Sequence, residues 1–143
     1  MEKLKERLQS CEAALATLDE ALRLPVSVIV RDAAIQRFEY SFESTWKLLK
    51  GYLEAQEGIV CNSPKGCFRD ALQTGLLSRA ETETCLVMTD DRNLTSHTYL
   101  DALAERIYAQ LPAYLIVMQS LTKQIATRIE KANDAKEDQT TTH

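Results

Sequence analysis

The sequence predicts an all-α fold, an up-and-down bundle of four or five helices. Apolar residues recur at steps of three and four along most of the chain. The 143 residues include only four Gly and three Pro, which leaves few turn signals for a strand-rich fold. Because this length suits one compact domain, we expect a single helical domain over residues 1–130 and a solvated tail over residues 131–143, which lack large apolar side chains.

The first two helices are predicted from their apolar stripes. A helix over about residues 2–23 is closed by Pro25, and a longer one over about residues 27–56 ends before Gly58. The aromatic residues of the second stripe are read as core, although such rings can also stack on unpaired bases. The two stripes comprise Leu4, Leu8, Cys11, Leu15, Leu18 and Leu22, then Ile35, Phe38, Phe42, Trp46, Leu49 and Leu53.

Ser63-Pro64 predicts the start of a short third helix that runs to about Gln73, since Ser caps free amides and Pro fits the first turn. A fourth helix is expected from Ser78 or Arg79 to about Met88, before the polar residues 89–91.

The apolar pattern resumes at Thr98 and continues to about Ile129. Pro112 lies inside it and predicts either a kink or a break into two helices near Gln110. Leu100, Ile107, Tyr108, Leu111, Leu115 and Met118 are expected in the core or in a dimer interface.

The spacing of the cysteines and the net charge of the chain argue against several classes of protein. Cys11, Cys61, Cys67 and Cys85 form no CxxC pair, and only His97 and His143 could join them, so we expect no metal, no cofactor and no disulfide framework. The net charge of −4 argues against nucleic-acid binding over the whole surface, and DNA binding is not expected.

An RNA contact would therefore have to be local. The basic residues that could supply a phosphate-tracking patch, or simply solvate helix surfaces, are Lys47, Lys50, Lys65 and Arg69. The N-terminus begins directly with an amphipathic pattern, and no stretch is apolar enough to span a membrane. Both observations predict a cytoplasmic protein that does not associate with a membrane.

Residues 91–99, DRNLTSHTY, concentrate the side chains that could carry chemistry. A guanidinium such as that of Arg92 stabilises charge on phosphate, and an imidazole such as that of His97 moves a proton, so the pair could cleave RNA without metal. Asn93 would add a hydrogen bond. The alternative is that the polar residues cap the following helix and that His97 packs near its N-terminus.

Glu39 and Glu43 share a helix face and could act as paired carboxylates. Because Glu43 also lies four residues before Lys47, the favourable order for a helical ion pair, we interpret Glu43 and Lys47 as a surface pair.

Three separated blocks carry a resemblance to a known family: RDAAIQRFEYSFESTWK at residues 31–47, Ser63-Pro64, and DRNLTSHTY at residues 91–99. In this order they resemble the nucleotidyltransferase substrate-binding proteins of the HEPN superfamily, and the resemblance covers about residues 3–126. Such proteins resemble the helical half of kanamycin-type nucleotidyltransferases and are encoded beside a minimal nucleotidyltransferase. The resemblance therefore implies a nucleotidyltransferase partner, with this chain as its helical substrate-binding subunit.

The resemblance also implies an alternative, a metal-independent endoribonuclease toxin. Related HEPN proteins carry an Arg, four residues, His, one residue, Tyr pattern, which Arg92, His97 and Tyr99 match. In those proteins the nucleotidyltransferase acts as antitoxin by adenylylating the Tyr, and two protomers usually bring their motifs together in a dimer. Arg92, His97 and Asn93 are thus the expected catalytic residues, Tyr99 the expected modification site, and a homodimer with an RNA or nucleotide substrate the expected assembly.

Overall fold

The computed structural model describes residues 1–141, and these residues form five α-helices and one short 3-10 helix without a strand. The all-helical prediction is confirmed, and the first three helices have almost the predicted bounds. The elements in order are α1 (Glu2–Arg23), α2 (Val28–Glu57), α3 (Pro64–Gln73), α4 (Arg79–Leu94), the 3-10 helix (Thr95–His97) and α5 (Asp101–Thr141).

Serine side chains begin three of the helices, as the sequence pattern predicts. The hydroxyl of Ser27 accepts from the Val30 amide, and that of Ser63 accepts from the Gly66 amide, each at 3.0 Å. Ser78 and Glu81 form a reciprocal capping box at the start of α4. These local hydrogen bonds fix where the chain enters each helix, because the first amides of a helix have no partner inside it.

The four long helices run alternately up and down. Arg31 of α2 contacts Glu105 of α5, and further along both helices Phe38 stacks on Tyr114 with ring centroids 5.6 Å apart, so α2 and α5 are parallel. α1 packs antiparallel to α2 through the short turn between them.

α4 runs antiparallel to α5. Asp91 near its end contacts Arg106, whereas Glu81 near its start contacts Ser120. The end of α4, the start of α5, the end of α1 and the start of α2 therefore meet at one end of the bundle.

The core lies among α1, α2, α4 and α5, with α3 covering part of it. Phe38 and Phe42 are fully buried, as predicted, and each is worth about 2–3 kcal/mol of burial. Cys11 places its thiol within hydrogen-bond distance of Thr45 on α2 and Thr122 on α5. The largest fully buried side chains are Leu18, Phe38, Phe42, Leu48, Leu49, Leu53, Phe68, Met88, Ile107, Leu111, Met118 and Leu121.

α4 ends at Leu94, and the prediction that it ends near Met88 is wrong. The polar residues that suggested a break have partners that keep them helical. The Thr89 hydroxyl donates to the Cys85 carbonyl at 2.8 Å, and the carboxylate of Asp91, which is 3% exposed, is bound by side chains of α5. A buried polar residue with a partner is compatible with a helix, whereas its sequence pattern alone resembles a loop.

α5 runs without interruption through Pro112, so the predicted alternative of two consecutive helices is wrong. Leu111, Tyr114 and Leu115 beside the proline are all buried, and this packing on both sides supports the helix despite one lost backbone hydrogen bond. α5 also continues past Ile129 to Thr141, where residues 134–138 are exposed. No helix in the described part of the chain is long and apolar enough to cross a membrane.

Two of the four cysteines are paired, contrary to the expectation of no disulfide. Cys61 and Cys67 are joined across the connection between α2 and α3, with Cα atoms 5.3 Å apart. The fold of this connection brings the two residues together, and their spacing alone does not show it. Cys11 and Cys85 are buried thiols, and burial raises the pKa of Cys85 to about 12.

Candidate functional site

The candidate site lies where α4 ends and α5 begins. Arg92 belongs to the last turn of α4, His97 ends the 3-10 helix that follows, and Tyr99 lies in the short connection to α5. Asn93 and His97 are exposed, and Tyr99 is 76% exposed. The helix break is therefore after Arg92, not before it, and the guanidinium is carried on a helix.

Arg92 is only partly satisfied by the protein. One terminal nitrogen donates to the Thr95 hydroxyl at 3.2 Å, and the other lies 3.7 Å from Glu43 Oε1. Its Nε atom is buried and has no hydrogen-bond partner among the described residues. With 28% of its side chain exposed, Arg92 keeps donors available for a further acceptor such as a phosphate oxygen.

A groove of about 290 Å³ leads to Arg92 across the face of α2. Glu43 lies in this groove, and its second carboxylate oxygen accepts from the Trp46 indole at 3.0 Å. The interpretation of Glu43 and Lys47 as an ion pair is wrong, because Glu43 is directed to α4 instead. Glu39 and Glu43 both line the groove, and their i, i+4 spacing is the sequence feature that could have indicated this part of the site.

His97 and Tyr99 form the exposed part of the site. Their ring centroids are 6.0 Å apart in an edge-on arrangement. Within the described residues the imidazole makes no hydrogen bond, and its exposure contradicts the alternative that it packs as a structural residue. Thr95 and Asp91 do not cap α5 either, since the Thr95 hydroxyl donates to the Arg92 carbonyl at 2.7 Å and Asp91 is engaged elsewhere.

Asp91 fixes the turn that carries Arg92. Its carboxylate accepts from Arg106 at 3.0 Å and from the Tyr114 hydroxyl at 2.5 Å, so the end of α4 is tied to α5. Burial, together with the hydrogen bond to Asp91, raises the pKa of Tyr114 above its ordinary value. Nothing in the sequence pattern pointed to this buried group, because its partners are fifteen and twenty-three residues away.

Arg31 fixes the start of α5, on the other side of the connection that carries Tyr99. It is 4% exposed and contacts Glu105 at 2.8 Å, Asp32 at 3.1 Å and Asp101 at 3.2 Å. The hydrogen bond to Glu105, followed by that to Asp32, raises the pKa of Arg31 above its already high value. Its charge is thus fully engaged by the protein.

The predicted basic residues are distributed over several surfaces. Lys65 is close to the end of α4, but its ammonium is 2.6 Å from Asp90. Lys50 lies 5.8 Å from the centre of the Trp46 ring, Lys47 lines a groove between α1 and α2, and Arg69 is exposed on α3. Lys65 is the member of this set that contacts α4, the helix that carries Arg92.

No group of three or more His, Cys, Asp or Glu side chains suited to a metal ion occurs within residues 1–141. His143 lies outside the described residues. The side chains that meet at the site supply a guanidinium, an imidazole, an amide, a phenol and the carboxylate of Glu43.

The helical bundle thus carries a partly exposed Arg92 and an exposed His97 and Tyr99 at one end. The model of the family "Nucleotidyltransferase substrate binding protein like" matches residues 6–127. The chain belongs to this family.

Known relatives agree in fold. A crystal structure of a Thermus thermophilus protein superposes with a TM-score of 0.78 at 47% identity, covering 80% of this chain and 98% of that one. A Haemophilus influenzae protein, whose structure is described as revealing the fold of a substrate binding domain of a nucleotidyltransferase, gives a TM-score of 0.70 at 25% identity, covering 83% and 98%.

A curated relative has a different description. The protein named "Probable ribonuclease HepT" from Haemophilus influenzae (strain Rd) is 33% identical over 99 aligned residues, and the match covers 66% of this chain and 66% of that protein. The two descriptions correspond to the two functions that the sequence predicts.

Proposed function

We propose that this chain is the helical partner of a separately encoded minimal nucleotidyltransferase, which transfers AMP to Tyr99. The observation that carries the proposal is the exposure of Tyr99, 76% of whose surface faces solvent at the end of the bundle. An aromatic residue of this size normally buries its ring, whereas the phenol of Tyr99 is an exposed nucleophile. Membership of the substrate-binding family supports a nucleotidyltransferase as the partner.

The transfer requires little from this chain beyond presentation of the acceptor. The phenol oxygen of Tyr99 forms a bond to the α-phosphorus of ATP, the bond from that phosphorus to the pyrophosphate breaks, and the phenolic proton passes to a base of the partner. The connection that carries Tyr99 is held between α4, tied down by Asp91, and α5, tied down by Arg31. A fixed acceptor lowers the entropic cost of reaching the transition state.

The test is incorporation of label from α-³²P-ATP into the purified chain by the nucleotidyltransferase encoded beside it. We expect labelling of the wild type and loss of labelling in Tyr99→Phe. The matched control is Tyr108→Phe, since Tyr108 is a half-buried tyrosine on α5, and it should be labelled like the wild type. Equal labelling of Tyr99→Phe and wild type, or no labelling of either, would overturn the proposal.

A second function is favoured by the availability of Arg92 and His97. Arg92 has an unpaired Nε and partial exposure, and His97 is exposed five residues further on. In a metal-independent ribonuclease, His97 takes the proton of a ribose 2′-hydroxyl, and the 2′-oxygen attacks the adjacent phosphorus. The bond from phosphorus to the 5′-oxygen breaks as the 2′,3′-cyclic phosphate forms, and the leaving 5′-oxygen takes a proton from water. Arg92 stabilises the charge on the non-bridging oxygens and Asn93 adds a hydrogen bond.

The two functions are compatible within one system. An AMP group on Tyr99 would lie beside the imidazole of His97, whose ring centroid is 6.0 Å from that of Tyr99, and would block the approach of RNA. The partner would then silence the nuclease. A homodimer that brings two copies of the motif together, with Lys47, Lys50, Lys65 and Arg69 as phosphate contacts, belongs to this second proposal, as does a cytoplasmic site of action.

Cleavage of cellular RNA in EDTA tests the second function. Unmodified wild type should cleave, and His97→Ala should not. Ser96→Ala is the control, because Ser96 is an exposed neighbour in the same 3-10 helix, and it should retain cleavage. A folded, unadenylylated wild type that leaves RNA intact would contradict the nuclease while leaving transfer to Tyr99 open to its own test.

A further inference from the structure

Three basic side chains that are far apart in the sequence line one groove between α1 and α2. The groove has a volume of about 320 Å³, and we call it the basic groove. Its lining residues are Lys3, Glu6, Arg7, Ser10, Ser44 and Lys47. Three cations and one carboxylate give this groove a net charge of +2, in a chain whose net charge is −4.

The cations of the basic groove keep their charge available. Within the described part of the chain, Lys3, Arg7 and Lys47 form no ion pair, whereas the ammonium of Lys65 is 2.6 Å from Asp90. Lys3 and Lys47 are exposed, and Arg7 is half-buried. Positive charge that lines a concave surface and has no acidic partner attracts an anion.

Arg7 is held across α2 by the backbone of that helix. Its Nη1 atom donates to the Lys47 carbonyl at 3.5 Å, and a Cβ atom at position 51 would lie 2.6 Å from the same nitrogen. Because residue 51 is Gly, the guanidinium can lie against the helix backbone. A guanidinium that is already placed in this way has further donors for a ligand and loses less conformational entropy when it binds one.

The basic groove is next to the groove that leads to Arg92. Glu43 lines the groove of Arg92, and Ser44, the next residue on α2, lines the basic groove. Lys47 lies one helical turn beyond Glu43, which corresponds to about 5–6 Å between their Cβ atoms. The carboxylate of Glu43 faces the Arg92 guanidinium at 3.7 Å, which partly neutralises it. A strand whose phosphate is held at Arg92 can therefore continue over α2 into the basic groove.

The lining residues favour the phosphate backbone of a nucleic acid over a protein surface. A protein interface has an apolar centre, whereas none of the six lining residues is apolar. Ammonium groups, guanidinium groups and serine hydroxyls are side chains that contact phosphate oxygens. The lining residues include no aromatic ring on which a base could stack. The basic groove therefore suits the backbone of a strand and does not select its sequence.

We infer that the basic groove binds the phosphate backbone of a single-stranded RNA and directs the strand to Arg92. This inference rests on the second of the two proposed functions, and it adds the path of the substrate over the protein. Of the four basic residues that the sequence singled out, Lys47 is the one that lines this groove. The cations that join it, Lys3 and Arg7, belong to α1, and only the packing of α1 on α2 brings them to it.

The experiment measures binding of a fluorescently labelled single-stranded RNA to the full chain by fluorescence anisotropy. Every protein carries His97→Ala, so that cleavage does not consume the RNA. The groove variant adds Arg7→Gln/Lys47→Gln. The control adds Arg79→Gln/Lys123→Gln, which removes one arginine and one lysine from exposed positions on α4 and α5. Circular dichroism and melting temperature establish that both variants are folded.

At about 0.1 M salt we expect the groove variant to bind RNA on the order of 10-fold more weakly, because two phosphate contacts are lost. The slope of log K against log salt should become shallower by about 1.4, since each contact with a single strand contributes about 0.7. A loss of packing would not change this slope. The control should change the affinity less than threefold and leave the slope as it is.

A second groove variant, Lys3→Gln/Lys47→Gln, changes two exposed positions and repeats the test without altering the half-buried Arg7. It should reduce the affinity and the salt slope in the same way. Equal RNA binding by the groove variants and the control, with equal salt slopes, would overturn the inference.

Because binding is measured without cleavage, the outcomes separate this inference from the nuclease. RNA binding that depends on the groove, in a chain whose wild type leaves RNA intact, would support the groove and reject the nuclease. Cleavage by the wild type with undiminished binding by the groove variants would do the reverse. Groove variants that bind RNA normally but no longer bind the nucleotidyltransferase would assign the groove to a protein partner and reject the inference. A chain that neither binds nor cleaves RNA rejects both.

Discussion

Arg31 and Arg92 lie near the same end of the bundle and differ in how much of their charge the protein uses. Arg31 is 4% exposed and contacts three carboxylates within 3.2 Å. Arg92 is partly exposed, has one carboxylate at 3.7 Å and keeps a buried Nε without a partner in the described structure. The comparison indicates that Arg31 serves the fold, while Arg92 is available to a ligand.

The largest expected effect is on activity at Arg92. If the chain is a ribonuclease, Arg92→Ala should lower the rate of RNA cleavage by about 100-fold or more, because it removes the donor for the phosphate oxygens. Loss of its half-exposed ion pair should cost less than about 1 kcal/mol of stability. The control is Arg79→Ala, since Arg79 is an exposed arginine at the start of α4. Equal cleavage by Arg79→Ala and Arg92→Ala would contradict a role of Arg92 in binding the phosphate.

The next effect is on stability at Tyr114, which anchors the turn before Arg92. Tyr114→Phe should lower the free energy of unfolding by about 1–3 kcal/mol at pH 7, because the buried Asp91 carboxylate loses a donor. The raised pKa of folded Tyr114 means that its contribution is present below about pH 10 and declines as the pH rises further. Urea unfolding should therefore show a smaller difference in the free energy of unfolding between wild type and Tyr114→Phe above pH 10 than at pH 7.

A smaller effect is expected at Arg31. Arg31→Met keeps the length of the side chain but releases the start of α5, so the melting temperature should fall by several degrees. RNA cleavage, measured well below the melting temperature, should stay within a few-fold of wild type. Arg23→Met removes an arginine that is 78% exposed and paired with Asp19, and it should change the melting temperature little. An Arg31→Met protein that is as stable as the wild type but inactive would mean that Arg31 serves the activity and not the fold.

The smallest effect is expected at Glu81, whose charge is engaged at the opposite end of α4. Hydrogen bonds from the Ser78 amide and the Ser120 hydroxyl lower its pKa, the former being the larger cause. A lowered folded pKa stabilises the protein above the unfolded value of about 4.3, and this contribution is lost as the pH falls through the folded pKa.

Glu81→Gln should therefore cost about 0.3–1 kcal/mol at pH 7 and nothing once the carboxyl is protonated. Glu83→Gln, at an exposed neighbour on α4, is the control variant and should change the stability at pH 7 little. A pH-independent loss at Glu81 would mean that packing, not charge, is responsible.

Helix starts were predictable because their determinants are local. The serine caps at Ser27, Ser63 and Ser78 act within three residues of themselves. The end of α4 was not predictable in this way, since Asp91 is kept helical by Arg106 and Tyr114 from another helix. The same holds for Pro112, which a short peptide would not tolerate but which the buried side chains around it support.

The site shows the same division. Arg92, Asn93 and His97 were singled out from residue type and position along the chain, and Tyr99 from the family resemblance, and the roles of all four stay predictions. Glu43 was misassigned to Lys47, and neither Asp91 nor Arg31 was recognised as part of the support. Each of these side chains acts through a partner more than ten residues away.

The sequence by itself determined the helical class, the starts of the helices and the side chains that could perform chemistry, because periodicity, capping and residue type are properties of neighbours along the chain. The tertiary structure decided where α4 ends, that Cys61 and Cys67 meet, and that Arg31 is fully engaged while Arg92 is only partly so. These depend on which helices lie side by side, and burial and charge pairing between distant residues arise only when the bundle forms.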